Sequence, residues 1–243
     1  MINFFRKIRK KLADDNKPLK YMRYAVGEIV LVVIGILIAL QINNWNEWRK
    51  ERIIEKSILL ELENNLERNI ALIDIAAAEM IEIKKSTGTL IEIIAERKSY
   101  ADTLKYHFSQ LNRSGSYLLK LNTNGYESLK NIGFEILTSK MLKDEILSLF
   151  EISYPRYIQE TEVVNAIWGS NPLWMQDYFY IGPFDTGLIP LDYGSLIEDK
   201  KFMTIVREIE SGRNRVLKEM LLCKTETQSV LQLVQDELVN FGE

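Results

Sequence analysis

His107 is the chain's one histidine and Cys223 its one cysteine, and that scarcity bounds the side-chain chemistry available. Zinc and similar centres draw three or four ligands mostly from Cys and His, and a disulfide needs a second thiol. One residue of each type supplies neither. His107, in Tyr106-His-Phe108, has no companion for metal binding and reads as a packing or hydrogen-bonding side chain. Cys223 falls on an apolar stripe at helical spacing and reads as a small buried hydrophobe rather than a reactive thiol. The 34 acids leave carboxylate pairs open by number alone. The sequence carries no nucleophile elbow, Gly-rich phosphate loop or metal-ligand cluster. The expectation is a protein that is not an enzyme and takes no cofactor or metal.

Glu28 has the most unusual setting of any acid, because it sits inside an apolar run. Ala25 to Ile42 is eighteen residues with one charge, Glu28, and one amide, Gln41. At about 1.5 Å per residue the run covers roughly 27 Å, close to the hydrocarbon thickness of a bilayer. A cleaved signal peptide has a shorter apolar region, about 7 to 15 residues, ending in small residues at a cleavage site. This run passes instead through Gln41-Ile-Asn-Asn-Trp45, so it reads as an uncleaved signal anchor. Glu28 lies about 7 to 8 Å along the axis from Arg23, near one interface. One reading has its carboxylate reaching back toward Lys20 and Arg23; the other has it facing an oligomer interior as an ion-path acid. Gly27, Leu31, Gly35 and Ala39 share one face at four-residue spacing, and Gly35-x-x-x-Ala39 is a small-residue pair that lets another span approach.

The flanks orient the span. Met1 to Tyr24 holds eight Lys/Arg against two acids, whereas Asn43 to Lys56 holds four Lys/Arg. The positive-inside rule then places the N-terminus in the cytoplasm and the body outside. Trp45 and Trp48 stand where an aromatic belt meets the headgroups, unless they pack on a neighbouring helix. Upstream, Ile2, Phe5, Ile8 and Leu12 recur at three and four residues among basic neighbours, a pattern that lies on an anionic membrane surface. With that +6 and Glu28 removed from the total of −3, the remainder carries −8. So acidic a body argues against nucleic acid, which needs clustered Lys/Arg.

The elements beyond the span are helical. Between Gly35 and Gly88 there is neither Gly nor Pro, and Leu59, Leu62, Leu66, Ile70, Ile73, Ala77 and Met80 recur at three and four. The span is expected to run into a long helix that kinks around Ser86-Thr-Gly88 and continues to about Lys98. Shorter helices are expected over about 101–111, 123–131 and 142–166, the last interrupted at Pro155. A final helix over 199–241 carries Phe202, Ile205, Ile209, Val216, Met220, Cys223, Thr227, Val230, Val234, Leu238 and Phe241 on one stripe and packs on the long helix, parallel or antiparallel. Between them, residues 168–198 form a Gly/Pro-rich loop whose Trp168, Trp174, Tyr178, Tyr180, Phe184 and Tyr193 either seal one end of the bundle or present a partner surface.

MINFFRKIRKKL followed by VGEIVLVVIGILIALQINNWNE resembles the N-terminal signature of a family of Gram-negative bacterial membrane proteins known only as a domain of unknown function. Gly125-YESLKNIG-Gly133 resembles its second block. The first block covers about fifty residues and includes Glu28 and Asn43-Asn-Trp45; Trp48 stands where a charged residue is expected. The resemblance implies an inner-membrane, single-span protein with an external helical domain, and no activity.

The whole is expected to be all-α: a basic amphipathic segment over 1–20, a transmembrane helix over 21–44, and an extracytoplasmic helical bundle over 45–243. The expected role is a membrane-anchored scaffold or accessory subunit of a cell-envelope assembly in the bacterial inner membrane. Its expected partners are the lipid bilayer and a second copy or another membrane protein. The rivals are an extracytoplasmic sensory module acting through a partner and an ion-path component using Glu28.

Overall fold

A computed structural model of the protein describes residues 7, 18–113, 119–168, 173–181 and 187–241. The basic amphipathic segment expected over residues 1–20 lies almost wholly outside them. The chain forms two compact units, residues 1–54 and 55–243. The boundary between them falls inside the first helix, α1 (Pro18–Ala95, 78 residues).

In the first unit α1 is apolar on every face from Ala25 to Ile42, Glu28 and Gln41 apart. Its most apolar 18-residue window has no buried residue, and Leu31, Leu37 and Ile38 are all more than half exposed. A helix apolar on every face belongs either in a protein core or in a bilayer.

The second unit is a packed helical bundle. Along α1 the buried residues step by three and four: Leu59, Leu62, Leu66, Asn69, Ile73, Ala76, Met80, Ile83, Thr87, Leu90 and Ile94. One expectation for this helix needs correction. Asn69, not Ile70, occupies the interior position between Leu66 and Ile73. Through Ser86–Gly88 the helix is unbroken and continues to Ala95, and Thr87 Oγ1 donates to the Ile83 carbonyl one turn back. Lacking a proline, the segment keeps its main-chain ladder, and one glycine alone does not break a helix held by packing.

Four helical pieces follow: α2 (Leu104–Leu111), α3 (Asn124–Ile132), α4 (Lys140–Ser148) and α5 (Tyr154–Trp168). Asn122 Oδ1 accepts from the Asn124 N–H at the start of α3, and Gly133, at φ 109°, ends it in a conformation that glycine favours. A π-helical turn, Leu149–Ser153, joins α4 to α5. Pro155 causes the interruption the sequence places there, but the chain absorbs it upstream. Its ring crowds the carbonyl of residue 151 and offers that carbonyl no N–H, so the preceding turn widens.

The aromatic loop holds more structure than a loop. A two-stranded antiparallel hairpin pairs β1 (Phe179–Ile181) with β2 (Leu188–Pro190), Tyr180 opposite Ile189. A short helix, α6 (Tyr193–Glu198), follows, with Asp192 capping it through the Gly194 and Ser195 N–H groups. The last helix, α7 (Lys200–Asn240), is capped by Asp199. It runs antiparallel to α1: Gln235 donates to Glu63, Lys224 pairs with Asp74, and Arg213 reaches Thr87.

The bundle has two apolar cores stacked along the α1–α7 pair. One gathers Leu59 to Ile83, Tyr126, Leu129, Phe150, Tyr157 and Val216 to Val234. The other gathers Leu90, Ile94, Phe108, Phe179, Leu188 and Phe202 to Ile209. Ser86 and Thr87 on α1 and Arg213 on α7 occupy the layer between them, all buried.

Candidate functional site

Gly27, Leu31, Gly35 and Ala39 lie along one exposed face of α1, and a Cβ added at Gly27 or Gly35 would meet nothing within 4 Å. Glu28 is half-buried on the same helix. Trp45 and Trp48 are 61% and 54% exposed. The Arg49 guanidinium sits 5.9 Å from the Trp45 ring centre, and Asn43 donates to Glu47 at 3.1 Å. The side chains of Arg23 and Trp168, and all of Phe184, lie outside the described residues.

Of the loop aromatics, three pack against the second core. Trp174 and Tyr178 approach Phe202 at ring-centre distances of 6.4 and 5.0 Å. Tyr193 lays its ring edge-on to Tyr100 at 5.2 Å and donates its hydroxyl to the Lys98 carbonyl at 2.6 Å. Tyr180 is half exposed. Tyr178 also donates to Asp199 Oδ2 at 2.6 Å. That hydrogen bond, with the Lys201 N–H, holds the Asp199 carboxyl below its usual range, while burial and the same bond push Tyr178 up to about 12.

The polar layer is a constellation that reading the sequence missed. Arg213 is 3% exposed. Its Nη2 donates to the carbonyls of Gln110 at 2.5 Å, Leu111 at 3.4 Å and Arg113 at 3.3 Å, and its Nη1 donates to Thr87 Oγ1. These carbonyls close the C-terminal end of α2, where a helix leaves acceptors unpaired and its dipole favours a cation. On the same helix, His107 Nδ1 shares a hydrogen with Ser86 Oγ at 2.6 Å. Ser86 is buried, so the pair has the residue types of a nucleophile and base but lacks the access that catalysis needs.

Burial lowers the pKa of His107 below 6.5. The unfolded chain therefore takes up a proton at a higher pH than the folded one. Stability contributed by the neutral imidazole is complete above pH 6.5 and is lost as pH falls through the folded value. Thermal unfolding measured from about pH 7 to about 5 should show this loss, and His107→Gln, which keeps a hydrogen-bonding end near Ser86, should flatten it.

A shallow depression of about 160 Å³ lies where the π turn faces α7, lined by Glu145, Ser148, Leu149, Ser153, Glu226, Ser229 and Val230. Arg156 Nη2 donates to both Glu226 oxygens, at 2.8 and 3.1 Å, and its Nε donates to Glu219 at 2.9 Å. Cys223 is buried near this cluster; burial first, then the Glu226 charge, push its thiol up to about 12, which disfavours the thiolate. Among the described residues no group of three or more His, Cys, Asp and Glu could hold a metal ion.

An all-α bundle whose first helix is long and apolar enough to cross a membrane places the protein in the class of helical proteins with a candidate anchor. The chain belongs to the family of unknown function DUF6090, whose model matches residues 28–210, from Glu28 in the apolar run to the first half of α7. No curated protein and no solved structure matches it.

Proposed function

We propose that the protein is a membrane-anchored, non-catalytic scaffold or accessory subunit of a bacterial cell-envelope assembly. In this reading it crosses the inner membrane once through residues 21–44, with its N-terminus cytoplasmic and its acidic bundle outside. The observation that carries the reading is the first part of α1, apolar on every face and without a buried residue in its most apolar window. At about 25 cal/mol per Å² the exposure of that much apolar surface to water is untenable, and a bilayer is the solvent that removes it.

The orientation rests on the eight basic residues before the span against four after it. The scaffold role rests on exposed Gly27, Gly35 and Ala39, where another helix could pack closely. A second copy, or another membrane protein with a small-residue face, is the partner that fits. Two measurements test this. The protein should stay with membranes through alkaline carbonate, and a periplasm-dependent reporter fused after Glu243 should be active. Release by carbonate, or activity only from a cytoplasm-dependent reporter, overturns it.

A further inference from the structure

The depression beside the π turn has the makings of a binding site in its own right, independent of the membrane anchor. Widening the helix ahead of Pro155 turns Ser153 into the angle between α4–α5 and α7. Ser153 is 4% exposed and lines the depression, and its hydroxyl has no protein partner among the described residues. That hydroxyl opens onto the depression and is not sealed from water, so a ligand seated there can exchange its water for a direct hydrogen bond. Ser148 and Ser229 add two more hydroxyls to the rim, and Leu149 and Val230 supply an apolar wall.

Charge decides what kind of ligand would fit. Glu145 and Glu226 line the depression, no Lys or Arg does, and the neighbouring Arg156 is already committed to Glu219 and Glu226. Glu145 has no ion pair among the described residues. The site is therefore short of positive charge and repels anions. A bare divalent cation is a poor match, because calcium takes about six to eight oxygens and this donor set offers two carboxylates and three hydroxyls spread along a rim. An ammonium group matches better: its three N–H donors suit carboxylate and serine oxygens, and its alkyl stem suits a Leu/Val wall. The volume of about 160 Å³ is close to that of a cavity, about 150 Å³, that holds a benzene ring, so a stem of four or five carbons fits.

We propose that this depression binds a primary alkylammonium group through Glu145, Ser153 and Glu226, with its stem against Leu149 and Val230. The group can come from a free aliphatic amine or from a lysine side chain of a peptide, and the two sources are separable. Calorimetric titration of the full-length protein in mild detergent at low salt would use 1,5-diaminopentane in one arm and Nα-acetyl-lysine amide in the other. Saturable binding in at least one arm is expected; the diamine alone would assign a free amine, and the lysine amide a peptide side chain. Glu145→Gln should weaken binding about tenfold, since a charge-assisted hydrogen bond is lost, and Ser153→Ala about threefold. Glu145 is exposed, so its variant tests the site without threatening the fold. No saturable heat in either arm up to roughly 10 mM, beyond the range of a single useful contact, overturns the proposal. Binding that is unchanged in Glu145→Gln does so as well.

Discussion

Replacing Arg213 with Met is expected to destabilise the bundle by about 3–5 kcal/mol, read as a lower urea midpoint at unchanged slope. Met fills most of the volume and removes a buried charge, which by itself can favour folding. That gain appears when both partners of a buried pair become apolar. Here the partners are main-chain carbonyls at Gln110, Leu111 and Arg113, which no substitution removes. The Gln110 carbonyl still accepts from the Arg113 N–H at 3.2 Å, but in the layer between two apolar cores the Leu111 carbonyl and Thr87 Oγ1 lose the guanidinium, at a desolvation penalty of about 1–3 kcal/mol each. Arg213→Lys separates charge from geometry. A single ammonium satisfies the dipole at the end of α2 but cannot fork between Thr87 and the carbonyls, so roughly half of the loss should remain. A Met variant within about 1 kcal/mol of the parent would mean that other donors reach the Leu111 carbonyl and Thr87 Oγ1.

The residue doing this was half visible in the sequence. On the final helix the apolar stripe steps cleanly to Ile209 and resumes at Val216; the interior position between them is filled by Gly212 and Arg213, both buried. A gap in a stripe signals an interior polar residue, but not what it binds, because the carbonyls of α2 lie about a hundred residues away in the chain. The same holds for Asn65 and Asn69 on α1. Hydrophobic periodicity points to Ile70 for the interior turn, whereas the fold buries Asn69 to hold main-chain groups at Asn122. Arg156 likewise finds Glu219 and Glu226 on another helix.

Local signals did better. The final helix, expected over 199–241, is Lys200–Asn240, and the short helix expected over 123–131 is Asn124–Ile132. Both have capping chemistry and a stripe that need no distant partner. The hairpin was illegible because each strand is three residues long and one ends in Pro190; alternation over three residues carries no usable period. The depression was illegible for another reason. Pro155 announces a disturbance of its helix, but whether the chain kinks, breaks or widens depends on what packs beside it.

Gly125→Ala and Gly88→Ala should move stability in opposite directions, although each puts one methyl on a helix. At Gly88 an added Cβ meets nothing within 4 Å, so alanine's better helix propensity should stabilise by about 0.5–1 kcal/mol. At Gly125 the Cβ would lie 3.0 Å from Leu62 N and Cγ and 3.1 Å from Leu62 Cα. Two of those atoms are backbone of α1 and cannot swing away as a side-chain end would. Nor can α3 easily retreat, because it is latched to α1 along its length. The Gly125 N–H donates to Asn65 Oδ1 at 2.8 Å, and Ser128 donates to Glu61 at 3.1 Å. Just upstream, Asn69 accepts from the Asn122 N–H at 2.7 Å and donates to its carbonyl at 3.0 Å. Moving α3 off by the few tenths of an ångström that a methyl demands stretches the Asn65 bond and disturbs the Tyr126–Phe150 stack, whose ring centres are 4.5 Å apart. Overpacking of this kind costs about 1–3 kcal/mol, which outweighs the propensity gain, so Gly125→Ala should destabilise by about 1–2 kcal/mol net and Gly125→Val by more. Urea midpoints of the two alanine variants measured side by side check the contrast. If both rose together, the contact with Leu62 would not be what requires glycine at this position, and the Gly125–Gly133 segment would owe its composition to its turn at Gly133 alone.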